Sequence, residues 1–353
     1  MNTRFSYAGS PARIVFGDGS RDSVRDWIMK SGATRALVLS TPHQKPDAEA
    51  LAHDIGDLAC GVFAGAVMHT PVEVTEAAMK VVAETRADCV VSLGGGSTTG
   101  LGKAIAYRSD LLQIVVPTTY AGSEVTSILG QTEGGRKTTV KDAKILPEVV
   151  IYDPLLTHGL PVAMSVTSGL NAMAHAVEGL YAQDRNPISS LMAVEGLRAF
   201  ARSLPEIVKA PGNAQARSDA LYGAWLCGTV LGAVGMALHH KICHTLGGSF
   251  DTPHAETHAI MLPHTASFNA KAAANELAPV AEIFGGSVGG GLWDFAKSIG
   301  APLSLRDLGL TEADLDKAAG IAVENPYWNP RPIDRGSIRQ LLQNAWEGRR
   351  PAE

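Results

Sequence analysis

His240 and His244 stand four residues apart in the stretch that runs from Leu238 to His254, and Asn171 and His175 stand four apart between Ser168 and Glu178. Four residues is about one helical turn, so each pair lies on one face of its helix. His254 follows beyond the Gly247-Gly248 break and adds an imidazole from a new segment. Two helices that each turn such a pair inward can build a metal centre or a proton-transfer site in a helical interior. Imidazole titrates near neutral pH, so the same cluster can hold or deliver a proton without a metal. One pair alone reads as core histidines; two pairs and His254 point to chemistry.

A second kind of chemistry is written in the first half of the chain. Gly94-Gly95-Gly96-Ser97-Thr98 follows the apolar run Ala87–Leu93 directly and precedes a helical stretch beginning at Gly102. Glycines let a backbone approach a pyrophosphate, and free N–H groups at a helix start bind its oxygens. Thr118, Thr119 and Ser123 follow the apolar run Leu112–Val116, and Ser40-Thr41 closes Arg35–Ser40. Ligands of open α/β sheets bind at such carboxyl strand ends. No acidic residue follows the second strand at Ser40-Thr41, so nothing there repels a ribose 2′-phosphate. NADH and NADPH are both expected.

The segments that position these groups are of two kinds. Short apolar runs alternate with helical periodicity as far as residue 152. Strands are predicted at Arg13–Phe16, Arg35–Ser40, Gly61–Ala64, Ala87–Leu93 and Leu112–Val116, and helices at Val24–Met29, Ala48–Leu58 and Thr75–Thr85. Runs that are apolar throughout mark a parallel sheet covered on both faces. Past Asp153 the strand-like runs stop, and helices are predicted at Ala163–Ala182, Pro187–Val208, Ala214–His244 and Ala255–Glu282. A boundary near Tyr152–Pro161 gives an α/β nucleotide-binding domain, 1–157, with a parallel Rossmann-like sheet, and an all-helical catalytic domain, 158–353.

Composition narrows the class. A chain of 353 residues exceeds one ordinary core, in keeping with two domains. Its net charge of −5, without a long Lys/Arg run, argues against nucleic acid or an anionic membrane as partner. Cys60, Cys89, Cys227 and Cys243 lack CxxC spacing and read as reduced thiols of a cytoplasmic protein. The N-terminus shows no signal-peptide pattern. Leu221–Leu238 is uncharged and about as long as a membrane span. Its glycines, and the histidines it runs into, favour a tightly packed buried helix.

Together these motifs resemble the iron-containing alcohol dehydrogenase superfamily, whose pattern is a GGGS loop, a PTT…SE loop, then Asp-x3-His and His-x3-His-x9-His in a helical domain. The match runs from Phe16-Gly17 to the C-terminal segment. The resemblance implies the two-domain architecture that dehydroquinate synthases share, a nicotinamide cofactor and a homodimer. Within the superfamily, Gly94–Lys103, Pro117–Thr126 and Asn325-Pro-Tyr-Trp-Asn-Pro-Arg331 resemble the maleylacetate reductase branch. That branch implies NAD(P)H-dependent reduction of the carbon–carbon double bond of a small dicarboxylate, in the breakdown of aromatic compounds.

The resemblance places metal ligands at Asn171, His175, His240 and His254, and cofactor contacts also at Thr70 and Lys137. Asn171 stands where an aspartate is expected, which removes the one anionic ligand; Gly100 likewise stands where the loop continues to Asp. No metal is expected, and the imidazoles take over its role, with His244 and His254 leading and His175 and His240 as supports. Arg331, Tyr327 and Asn171 are the candidates for substrate binding, because guanidinium grips carboxylate with two hydrogen bonds. The rival readings are a metal-dependent alcohol dehydrogenase and a dehydroquinate synthase-type lyase. The lyase would require more Lys and Arg near the histidines than this chain has.

Overall fold

The computed structural model describes residues 5, 7, 9, 12–134 and 136–352, apart from the side chains of Arg136 and Lys137. It divides into two compact units, Gly9–Leu160 and Pro161–Glu353. The division falls at Leu160 rather than Thr157, because Leu160 N–H donates back to the Thr157 carbonyl and closes the turn begun at Pro154.

Among the described residues, the first unit holds eight strands: β1 (Arg13–Phe16), β2 (Ala36–Leu39), β3 (Ala59–Phe63), β4 (Cys89–Gly94), β5 (Leu112–Pro117), β6 (Ile128–Glu133), β7 (Arg136–Lys141) and β8 (Val149–Tyr152). Six of them form a parallel sheet in the order β1-β8-β5-β4-β2-β3. Helices α1 (Val24–Lys30), α2 (Lys45–Ile55), α3 (Val72–Thr85) and α4 (Gly96–Ser109) connect them. Every residue of β2 and β4 is buried, the physical content of an all-apolar run. Alternate residues feed opposite cores. Val38, Val91, Ile114 and Ile151 pack on one face, while Leu37, Leu39, Val90, Leu101 and Ile105 pack on the other.

Three features of this unit depart from the sequence reading. α4 begins at Gly96, not Gly102, so Ser97 and Thr98 belong to its first turn. β6 and β7 form a separate antiparallel hairpin. Its residues, such as Gln131, Thr132, Thr138 and Thr139, are polar and make no apolar run. β8 is a strand of four residues beside the domain boundary, too short for its pattern to stand out.

The second unit is helical: α5 (Val162–Tyr181), α6 (Pro187–Lys209), α7 (Ala214–Ala233), α8 (Leu238–Phe250), α9 (His254–Ala270), α10 (Ala274–Phe284), α11 (Val288–Ser298), α12 (Glu312–Val323) and α13 (Arg335–Trp346). Two long helices predicted from periodicity are each broken in two. α7 and α8 meet at 96°, so the uncharged stretch Leu221–Leu238 is not one helix. No single helix among the described residues is long and apolar enough to cross a membrane. Carboxylates cause this break. Gly235 N–H donates to Asp184 at 2.9 Å, and Ala237 and His239 N–H donate to Glu178 at 3.0 and 2.7 Å. Donors satisfied by side chains no longer need the preceding helical turn. α9 and α10 separate at Ala273, where the backbone leaves the helical region with φ −124° and ψ 38°. The alanine-rich sequence there gives no sign of it. Ile242 and Leu246 of α8, Ile260 of α9, Leu315 of α12 and Ile338 and Leu342 of α13 share one core.

Candidate functional site

The first unit offers a dinucleotide cradle at the carboxyl edge of its sheet. β2 leads outward to β3 and β4 leads the other way to β5, so the order reverses between β2 and β4. Crevices at such reversals hold ligands in open α/β sheets. Gly94 has φ +153°, and an added Cβ would stand 2.4 Å from Thr98 Oγ1 and 2.9 Å from Gln44 Oε1. Only glycine fits there. No side chain caps α4 at its opening turn, which leaves donors for an anion's oxygens. Thr118 N–H donates to Gly94 O at 3.0 Å, and Gln44 Nε2 donates to Thr118 Oγ1 at 3.1 Å, tying three loops together. A Cβ on Gly95 would meet Thr119 at 2.8 Å. The structure thus assembles Gly94, Gly95, Gly96, Ser97, Thr98, Thr118 and Thr119 at one edge, and the set fits a pyrophosphate.

The other expected cofactor residues sit differently. Ser40 is fully buried under the edge, and Thr41 turns its hydroxyl to its own turn, accepting from Gln44 N–H at 3.4 Å. Thr70 is buried against α4, its hydroxyl oxygen 2.4 Å from where a Cβ on Gly100 would be. The glycine that replaces the expected Asp therefore makes room for Thr70. Ser123 accepts from Lys103, which also donates to Thr126 Oγ1 and the Ile128 carbonyl, both at 2.9 Å. Complete burial pulls Lys103 down to about 7, with the charge of Glu124 working against that. Sequence reasoning misses Lys103 as a site-shaping residue; its only signal is its place at the end of the glycine-rich run. The Lys137 side chain lies outside the described residues.

The second unit gathers the histidines. Glu178 is its hinge: besides the two N–H groups at the start of α8, it accepts from His240 Nδ1 at 2.6 Å and from Tyr181 OH at 3.4 Å. Burial would raise this carboxyl, but the hydrogen bonds from the His240 ring and the Ala237 N–H bring it below its ordinary value. It therefore stays ionised. His240 Nδ1 faces this carboxylate, and its Nε2 lies 3.0 Å from His175 Nδ1. α5 thus supplies Asn171, His175 and Glu178 from one face, and α8 supplies His240.

His244 is exposed, its Nδ1 3.4 Å from the Tyr327 hydroxyl and its ring 5.9 Å from that of His240. His254 is exposed and its ring lies 4.4 Å from that of His258. His239 and His258 are buried partners that sequence reasoning misses. His239 Nδ1 is 2.9 Å from Thr265 Oγ1, and its Nε2 is 2.9 Å from His258 Nδ1. The i, i+4 spacing of His254 and His258 is the available signal. Burial takes His239 down to about 3 and His258 well below the usual imidazole value.

Arg331 does not join this cluster. Its guanidinium stacks 3.9 Å over the Phe268 ring and donates to the Phe268 carbonyl at 3.2 Å. It lines a separate cavity of about 620 Å³ with His264, Lys271 and Asn344. The loop explains the difference. Tyr327 reaches His244, while Asn329, paired with Asn269, turns the next residues toward the end of α9.

Two family models cover nearly all of the chain: the iron-containing alcohol dehydrogenase model at residues 11–154 and the C-terminal model of the Fe-containing alcohol dehydrogenase family at 165–346. The chain belongs to the iron-containing alcohol dehydrogenase family. Among relatives in this family, it is 64% identical to a maleylacetate reductase of Rhizobium sp. strain MTP-10005 over 98% of this chain and 99% of that one. It is 54% identical to a maleylacetate reductase of Sphingobium indicum, covering 99% of both. A crystal structure of maleylacetate reductase from Agrobacterium tumefaciens superposes with a TM-score of 0.97 at 65% identity, over 99% of this chain and all of that one. An iron-containing alcohol dehydrogenase from Corynebacterium glutamicum superposes with a TM-score of 0.93 at 40% identity, covering 98% and 97%.

The family name implies a metal, but the residues at its four positions fit one poorly. Asn171 contributes a neutral amide oxygen to that set. A hard divalent cation prefers a carboxylate there. His240 and His175 direct nitrogens at each other. Among the described residues, the grouped donor atoms within 4.8 Å belong instead to His239, Cys243 and His258. There the imidazole nitrogens hydrogen-bond each other, and burial keeps the thiol protonated.

Proposed function

We propose that the protein reduces the carbon–carbon double bond of maleylacetate to give 3-oxoadipate, with NADH or NADPH as reductant and without a metal, in the cytoplasmic breakdown of aromatic compounds. The observation that carries this reading is the full-length 64% identity to a maleylacetate reductase. The interlocked Glu178–His240–His175 set beside Asn171 supports its metal-free form. The nicotinamide, when bound, supplies a hydride. Gly94–Thr98 and Thr118–Thr119 would hold its pyrophosphate.

The histidines face the rest of the reaction. Hydride addition to the carbon β to the ketone pushes an electron pair onto the ketone oxygen, which becomes an enolate. That charge must be stabilised and the neighbouring carbon protonated. His244 and His254, exposed to a substrate, are suited to both roles, and Tyr327 holds His244. His175 and His240 are fixed from behind by the Glu178 carboxylate.

An assay following nicotinamide absorbance, with maleylacetate and either cofactor, tests this. Turnover with both cofactors, undiminished by EDTA, is expected. Absence of turnover overturns the substrate reading. Loss of activity in EDTA, restored by Fe or Zn, overturns the metal-free one.

A further inference from the structure

The functional reading leaves the buried pair His239 and His258 without a role. Their hydrogen bonds have a direction that can be worked out. Thr265 Oγ1 lies 2.9 Å from the Met261 carbonyl and 2.9 Å from His239 Nδ1, and it has one proton to give. If that proton goes to Met261, the hydroxyl oxygen accepts from His239 Nδ1–H. His239 Nε2 is then bare and accepts from His258 Nδ1–H at 2.9 Å, and from the Cys243 thiol at 3.7 Å. His258 Nε2 is left as a bare lone pair.

The opposite direction takes the Thr265 proton from Met261 and turns a His239 N–H toward the Cys243 thiol, which then has no acceptor there. It also leaves an N–H on His258 Nε2, a buried atom with no hydrogen-bond partner among the described residues. A buried N–H without an acceptor costs more than an unfilled lone pair. The first direction is therefore the stable one. A proton on His258 Nε2 would meet no acceptor among the described residues, and the 2.9 Å contact between His239 Nε2 and His258 Nδ1 has room for one proton only.

We propose that Thr265 and His239 are positioning residues that lock His258 with its proton on Nδ1, and so set a bare Nε2 among the catalytic histidines. The inference rests on the metal-free histidine chemistry proposed above. The His258 ring stands 4.4 Å from His254, 5.1 Å from His240 and 6.3 Å from His175. A bare acceptor at this point suits an N–H of His254, its nearest ring neighbour. A His254 N–H turned onto that lone pair would fix the His254 ring from behind. Thr265, which touches neither substrate nor cofactor, acts only through the two rings.

The test joins spectroscopy and kinetics. Nitrogen NMR of histidine-labelled wild type at neutral pH is expected to show His258 protonated on Nδ1 and bare on Nε2. Thr265→Val should mix the two forms of His258 and lower kcat roughly tenfold with an unchanged KM for NADH. Thr265→Ser, which keeps the hydroxyl, should restore both. A wild-type His258 with its proton on Nε2 overturns the proposal, even should Thr265→Val fail to fold. So does a Thr265→Val variant with a mixed spectrum and unchanged kcat. Wild type without maleylacetate turnover refutes the functional reading instead, and the spectra still judge the tautomer.

Discussion

The two exposed imidazoles of the cluster, His244 and His254, differ from the buried four, His175, His239, His240 and His258, in what can reach them. His244 pairs with Tyr327, whose hydroxyl is held in its protonated form by burial, with the charge of Glu178 adding to that. The phenol can therefore donate to His244 Nδ1 and leave Nε2 toward a ligand. If His244 acts on the enolate, its contribution belongs to the transition state. His244→Ala should lower kcat by roughly a hundredfold with little change in KM for maleylacetate. Tyr327→Phe should show a smaller fall in the same constant. Steady-state kinetics decide this, and near-normal kcat in His244→Ala would move the role to His254. The i, i+4 spacings make His175, His240 and His244 legible in the sequence. They do not tell that one face of α8 carries a buried His240 and an exposed His244. Nor do they tell that Arg331, in the same loop as Tyr327, stacks on Phe268. Sequence distance sets which residues share an element, whereas loop direction depends on tertiary partners such as the Asn269–Asn329 pair.

Elements are legible where apolar pattern alone decides them. The central strands β2 and β4 are such runs, and both faces of each are covered. The β6–β7 hairpin pairs through its ladder and sends only Leu129 and Val140 into a small core with Ala104 of α4, too few to make an apolar run. The α7–α8 break depends on Glu178 and Asp184, from a distant helix and the turn after it. Periodicity does not register such long-range partners. The Gly100 departure belongs to this scale as well, since it couples α4 to the loop before α3. A Cβ at 100 would strike the Thr70 hydroxyl at 2.4 Å, and Thr70 is itself held at φ +45°. Gly100→Asp should destabilise the protein by about 1–3 kcal/mol, the usual cost of overpacking. It should also weaken NADH binding, because Thr70 cannot retreat without moving Thr132, whose N–H donates to the Thr70 carbonyl at 3.3 Å. Adding Thr70→Ala should recover a good part of both losses. Denaturant unfolding and fluorescence titration with NADH measure them; strict additivity of the two substitutions would show that no such contact exists.

Across the whole chain, the histidines that serve the proposed chemistry also set the range of pH in which the protein stays folded. Burial lowers His239 to about 3, His264 to about 4, and His258 in the same direction. In the unfolded chain each would titrate near ~6.5. Between about 6.5 and the folded values the unfolded state therefore binds more protons than the folded one. Stability rises with pH across that window and is lost as pH falls through it. Glu178, lowered in the fold, loses its contribution in the same direction at more acid pH. His264 offers a clean probe, since it lies in the Arg331 cavity and its Nε2 has no partner among the described residues. On going from about pH 7.5 to 5 it alone should cost on the order of 2 kcal/mol. Urea unfolding of wild type should show a marked fall in midpoint over that interval, and His264→Leu a visibly shallower one. Equal slopes for the two proteins would mean that His264 takes up its proton in the folded state, and that this cavity opens to water.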